Sequence, residues 1–170
     1  MSTPERTFPP MVADERATLE SWLDFYRVTL AQKCDGLTEE QLRKESAEPS
    51  TLTLLGLVRH LAEVERTWFR RVLTGEDAPA IFSSDADVQP ADRGFGLDED
   101  DTYEKSRRIW QAEVERAREN CAAHALEDTG LWRGNEVSLR WIYSHMIAEY
   151  ARHCGHADLI RERIDGSTGV

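Results

Sequence analysis

The sequence has few of the features that mark secreted, membrane or disulfide-rich proteins. It contains three cysteines, Cys34, Cys121 and Cys154, which are widely spaced and form no CxxC pair. An odd number of separated cysteines predicts free thiols that serve as small core residues in a reducing compartment. No apolar run approaches the roughly 20 residues of a membrane span, and the start, MSTPERTFPPM, has no apolar signal core. We therefore expect a cytoplasmic protein with no membrane partner.

Positive charge is also scarce. Lysine and arginine total 21 residues against 32 aspartates and glutamates, which gives a net charge of −11. An acidic surface repels phosphate backbones, and the sequence has no basic stripe with interleaved aromatic residues. We therefore expect no nucleic-acid partner.

Strand patterns are absent as well, because no segment alternates apolar and polar residues over its length. Apolar residues recur instead with the spacing of amphipathic helices in four long stretches, at residues 14–36, 51–73, 98–121 and 138–164. A chain of 170 residues fits a single domain, residues 1–170. We expect an all-α four-helix bundle without strands. Residues 1–13 are predicted to form an N-terminal arm, and residues 76–97 a long loop between the second and third long helices.

Shorter signals predict where helices begin. Thr38 and Gln41 have the spacing of a capping box, which indicates a short helix after the first long one. Ser138 is a candidate N-cap for the last helix.

A cluster of polar residues interrupts the apolar pattern of the last helix. The segment HMIAEYARHCGH, residues 145–156, holds three of the five histidines together with a glutamate. On a helical wheel, His145, His153 and His156 fall within about 40° of Glu149, at the edge of the apolar seam. A carboxylate that points inward there costs several kcal/mol unless it is paired or bound to a cation.

The second long helix offers a matching residue, His60, which lies beside its apolar face. An inward histidine on one helix and an inward ExxxH pair on another can form a metal site in a bundle. Two imidazoles and a carboxylate suit a divalent transition metal such as Zn, Ni, Fe or Mn. The alternative stays open, because a single histidine near an apolar face is usually a hydrogen-bonded core residue.

Two arginines are candidates for binding an anionic cofactor or substrate. Arg59 and Arg152 are adjacent in sequence to two of the predicted ligands and could reach the mouth of the same pocket. The alternative is that both form exposed ion pairs, with Glu63 for Arg59 and with Glu149 or Asp158 for Arg152.

Two stretches carry a resemblance to a known family. TLLGLVRHLAEVERTWFRRVL and SLRWIYSHMIAEYARHCGHADLIRERIDG resemble the DinB-like superfamily, in particular its small actinobacterial proteins often called mini-circle proteins. The resemblance extends from about residue 11 to residue 168. It implies a bundle of DinB-like topology in which His60, Glu149 and His153 hold a divalent metal. The related mycothiol-dependent maleylpyruvate isomerases also have glutamate at the position of Glu149. His156 falls where many relatives have glutamine, which implies support for the ligands or an extra ligand.

The resemblance also implies chemistry. Members of the superfamily include thiol-dependent isomerases and S-transferases that use mycothiol or bacillithiol. A metal with open positions lowers the pKa of a thiol that binds to it. The expected function is therefore a metal-dependent, thiol-using S-transferase or isomerase, whose partners are a small thiol and an electrophile. The alternative is a non-catalytic helical-bundle module, able to form a homodimer, with a structural or vestigial metal site.

Overall fold

The computed structural model describes residues 5–82 and 93–169. Within these ranges the chain forms helices and one hairpin in the following order: α1 Glu15–Cys34, α2 Glu39–Leu42, α3 Leu54–Glu65, a π-helical segment Arg66–Val72, α4 Tyr103–Ala122, β1 Thr129–Trp132, β2 Asn135–Ser138 and α5 Leu139–Asp165. The structure is mostly helical, as predicted. None of the helices in the described part has the length and apolarity that crossing a membrane would need.

The ends of several helices follow the sequence signals. The Asp14 side chain accepts a hydrogen bond in the first turn of α1, at 2.8 Å. Thr38 and Gln41 form the reciprocal capping box at α2, and Ser138 accepts from the first turn of α5 at 3.2 Å. Each side chain satisfies an amide that has no partner within its own helix. The two predicted caps, the capping box at α2 and Ser138 at α5, are confirmed. The predicted long loop contains no helix or strand in its described residues, and residues 83–92 lie outside the described part.

The chain divides into two compact units, Met1–Leu57 with Tyr143–Val170, and Val58–Ile142. The first unit contains α1, α2 and most of α5. Near the end of α5, Arg161 donates to the carbonyls of Lys33 and Asp35 at 3.0 and 2.8 Å. Ser46 donates to the carbonyl of Ile160 at 3.0 Å. Arg161 thus satisfies two carbonyls at the end of α1, and Ser46 connects the segment after α2 to α5.

The described part of the N-terminal arm is held against α1 by aromatic contacts. The ring of Phe8 meets Trp22 and Phe25 edge to face, with centroids 5.6 and 5.8 Å apart. Beyond Phe8, Met11 and Val12 are exposed. The prediction of an arm over residues 1–13 concerns residues 1–4 as well, which lie outside the described part.

The second unit contains the π-helical segment, α4 and the hairpin. Arg66 and Arg70 of the π-helical segment both donate to the buried carboxylate of Glu113 on α4. Asn120 of α4 donates to the carbonyl of Phe69 at 2.9 Å. Glu113 and Asn120 of α4 thus form hydrogen bonds with the π-helical segment, whose geometry is less common than that of an α-helix.

The hairpin contradicts the expectation of no strands. Strands β1 and β2 pair antiparallel, with Thr129 opposite Ser138, and Arg133 and Gly134 form the turn with φ angles of 51° and 81°. Two successive positive φ angles are typical of the tight turn that matches strand twist. Strands of four residues are too short for alternation to show clearly in the sequence. The single-domain organisation and the four-helix bundle stay predictions.

Candidate metal site

Glu149 lies at the centre of a group of nitrogen-bearing side chains on α5. Its Oε2 is 3.5 Å from Nε2 of His153, and its Oε1 is 3.9 Å from Nε2 of His145 and 3.5 Å from Nη1 of Arg152. The hydrogen bond with His153 is the largest cause of a lowered pKa for the Glu149 carboxyl, and it outweighs the opposing effect of burial. The carboxylate is therefore anionic at neutral pH, the form that binds a cation.

His153 and His156 interact through their rings. The two Nδ1 atoms are 3.3 Å apart, and the ring centroids are 5.2 Å apart at an interplanar angle of 67°. His153 is buried, whereas His156 is half-buried. Burial, followed by the charge of His153, lowers the pKa of His156. Neutral imidazoles are the form in which histidine binds a metal.

His60, on α3, is buried, and Arg93 and Phe95 contact its ring. Its Nδ1 is 2.9 Å from the carbonyl oxygen of Arg93. The ring of Phe95 stacks on the imidazole, with centroids 4.1 Å apart and an interplanar angle of 14°. Both contacts come from the stretch that follows residues 83–92, far from His60 in sequence.

The three predicted ligands form a group that could hold an ion. His60, Glu149 and His153 each offer one ligand atom, and these atoms lie within 4.8 Å of one another. In the described residues this is the one such group of histidine, cysteine and acidic side chains. Two imidazole nitrogens and a carboxylate oxygen suit a divalent first-row metal, with positions left for a substrate. Whether the group binds an ion stays a prediction.

The two candidate arginines differ in their surroundings. Arg59 is buried and pairs with Asp101, so the alternative of an exposed pair with Glu63 is wrong. Arg152 is exposed and forms its ion pair with Glu149, as that alternative predicted. Sequence spacing gave no signal for the Arg59–Asp101 pair, because the two residues lie far apart in sequence. Binding of a cofactor by either arginine stays a prediction.

All three cysteines are buried, which confirms their predicted place in the core. Cys154 is adjacent in sequence to His153, yet its Sγ donates to the carbonyl of Tyr26 at 3.5 Å. Burial is the main cause that raises the pKa of the Cys154 thiol to about 12. A thiol with that pKa is a poor nucleophile at neutral pH, because almost none of it is thiolate.

Comparison with known proteins adds one finding. A family model for mycothiol S-transferases matches residues 18–166, which is most of the chain. Among curated proteins and among solved structures no match was found. The family match confirms the resemblance that the sequences of α3 and α5 carry.

Proposed function

The chain belongs to the mycothiol S-transferase family, a DinB-like family, and from this premise we propose that it is a metal-dependent thiol S-transferase. It joins the sulfur of a mycothiol-type small thiol to an electrophilic substrate. His60, Glu149 and His153 hold a divalent transition metal in a four-helix bundle of DinB-like topology. The observation that carries the proposal is the grouping of these three ligand atoms within 4.8 Å.

The donor set suits that role. When bound, a divalent ion acts as a Lewis acid that lowers the pKa of a coordinated thiol. Glu149 contributes negative charge, which offsets part of the charge of the ion, and the two histidines contribute neutral nitrogen donors. His156, 3.3 Å from Nδ1 of His153, orients that ring or serves as a further ligand. The exposed guanidinium of Arg152 provides a positive charge beside Glu149 for an anionic group of a substrate.

The buried cysteines favour a thiol that comes from outside the chain. Because Cys34, Cys121 and Cys154 are all buried, none presents a sulfur to a substrate. In the proposed reaction the small thiol loses its proton to solvent, a sulfur–carbon bond forms, and the bond between that carbon and its leaving group breaks. The chain supplies binding and orientation, and the small thiol supplies the nucleophile.

Metal content tests the proposal directly. We expect about one equivalent of a transition metal in the purified wild-type protein and little in His153→Ala, by elemental analysis. His124→Ala is the matched control, because the His124 ring contacts the carbonyl of Asn120 and lies outside the ligand group. The metal-loaded wild type should then conjugate mycothiol to a chromogenic aryl halide, and His153→Ala should not. A wild-type protein that takes up neither Zn²⁺ nor Ni²⁺ on reconstitution would refute the proposal.

Three expectations about partners and location stay predictions. A homodimer is tested by light scattering on the purified protein. A cytoplasmic location is tested by fractionation of cells. The net charge of −11 predicts no gel shift with DNA at low salt.

A further inference from the structure

Three consecutive residues contact His60: Arg93 and Phe95 contact its imidazole, and Gly94 lies against its backbone. The carbonyl oxygen of Arg93 lies 2.9 Å from Nδ1 of His60. Because a carbonyl oxygen can only accept, Nδ1 donates in this contact, and in the neutral imidazole this leaves the lone pair on Nε2. Phe95 stacks on the same ring with an interplanar angle of 14°, which restricts rotation of the imidazole. The first contact favours the neutral tautomer with its proton on Nδ1, and the second restricts the plane of the ring.

Gly94 brings its backbone directly against α3. A Cβ at this position would lie 2.6 Å from the amide nitrogen of His60 and 2.8 Å from the carbonyl carbon of Arg59. The φ angle of Gly94 is +91°, a conformation that residues with a side chain rarely adopt. Glycine therefore satisfies both the close approach and the backbone angle, and the contact of Arg93 with His60 depends on both.

Arg59, the neighbour of His60 on α3, contacts the same segment through Gly94. Its Nε donates to the carbonyl of Gly94 at 3.2 Å, and its guanidinium pairs with Asp101. The guanidinium also lies over the ring of Phe82, 4.1 Å from the centroid. Two successive carbonyls, of residues 93 and 94, thus accept from two successive side chains of α3, His60 and Arg59. This pairing fixes the segment along the helix.

We propose that Arg93–Phe95 is a positioning segment that holds His60 in the Nδ1–H tautomer and presents Nε2 as its metal-binding nitrogen. Arg59 is then a positioning residue for this segment. The inference rests on the proposed function, because it gives the His60 nitrogen a metal to bind. Partners that orient a ligating histidine typically change metal affinity by about 10–100-fold when they are removed.

Cobalt binding tests the metal half of the inference. Co²⁺ titrated into metal-free protein is followed by its visible ligand-field bands. Gly94→Ala should bind Co²⁺ about 10–100-fold more weakly and shift those bands. Gly96→Ala is the matched control, because its added Cβ meets nothing within 4 Å. Phe95→Leu removes the stacking on His60 without a backbone clash and should also weaken Co²⁺ binding. This variant keeps the inference testable if Gly94→Ala fails to fold. Wild-type affinity and bands in a folded Phe95→Leu or Gly94→Ala protein would overturn the inference.

The tautomer of His60 provides a readout that needs no metal. Nitrogen-15 NMR of metal-free protein, with His60 assigned by comparison with His60→Gln, should show the proton on Nδ1. A proton on Nε2 would overturn the inference even if Co²⁺ binds, and the proposed function would then still stand. If the wild type shows the Nδ1–H tautomer but binds no Co²⁺, the proposed function fails and the metal-presenting role falls with it. Co²⁺ binding by the wild type, the Nδ1–H tautomer and weaker Co²⁺ binding by Gly94→Ala and Phe95→Leu would together support the proposed function and the positioning role.

Discussion

Replacement of Glu113 should destabilise the protein more than any other change to a single acidic residue of α4. Its buried carboxylate accepts from Nε of Arg66 at 3.1 Å and from Nη1 of Arg70 at 2.9 and 3.1 Å. The same two arginines bind the chain beyond the π-helical segment, through Glu76 and the carbonyl of Pro79. Removal of one partner from a buried ion pair costs about 3–5 kcal/mol.

The magnitude expected here is smaller, because the two arginines keep some contact with water. Their side chains are 17% and 19% exposed, against 5% for Glu113. We therefore expect Glu113→Ala to lower the free energy of unfolding by about 2–4 kcal/mol. In a domain of this size that corresponds to a fall in Tm of about 4–16 °C. Glu113→Gln keeps an acceptor for one arginine and should cost about 1–3 kcal/mol.

Urea unfolding followed by circular dichroism measures these changes. Glu115→Ala and Glu115→Gln are the matched controls, because Glu115 is exposed on the same helix, and each should stay within about 0.5 kcal/mol of wild type. If Glu113→Ala proves no less stable than Glu115→Ala, the ion-pair network contributes nothing net and the reasoning is refuted.

Three further predictions concern packing, thiol reactivity and pH. Gly130→Ala places a Cβ 1.9 Å from the carbonyl oxygen of Val72, at the end of the π-helical segment. The clash should lower the free energy of unfolding in urea by about 1–3 kcal/mol. Gly96→Ala, whose added Cβ meets nothing within 4 Å, should leave that free energy unchanged. Cys154, buried and with a pKa of about 12, should resist iodoacetamide at pH 8 in the folded protein and react in urea; rapid labelling of the native protein, by mass spectrometry, would contradict this. Hydrogen bonding from Arg161 lowers the pKa of Asp165 to about 2. A carboxyl whose pKa is lower in the folded state stabilises the fold at pH values above its unfolded-state pKa, and this stabilisation is lost as the pH falls toward 2. Asp165→Asn should therefore lower Tm at pH 7, with the difference shrinking steadily below pH 4; a pH-independent difference would contradict the assignment.

Helix positions were predictable from sequence because their signals are local. The predicted caps Thr38 and Ser138 accept from amides three residues away, so spacing alone reveals them. The π-helical segment was not predictable, because the contacts that support it are not local. The Asn120 side chain, for example, donates to the carbonyl of Phe69, 51 residues away in sequence. The hairpin was missed because its turn, at Arg133 and Gly134, differs from the Asn-Gly and Asp-Gly pairs that give the strongest turn signal.

The candidate site divides in the same way. Glu149 and His153 lie four residues apart on one helix, so periodicity could place them on a common face. The contacts of His60 with Arg93 and Phe95 depend on a return of the chain after 33 residues. No periodic pattern marks that return. The only local signal was a glycine at residue 94, and its meaning becomes clear once its distance from α3 is known.

The burial of Cys34, Cys121 and Cys154 has a consequence for the lifetime of such an enzyme. A protein that concentrates electrophiles beside an activated sulfur exposes its own side chains to the same reagents. Accessible thiols would be alkylated first, and each such event would inactivate a molecule of catalyst. Because every thiol of the chain is enclosed in the core, the proposed reaction would consume only the replaceable small thiol in each turnover. For the proposed transferase, the core packing of the three cysteines would thereby protect the protein against inactivation by its own substrates.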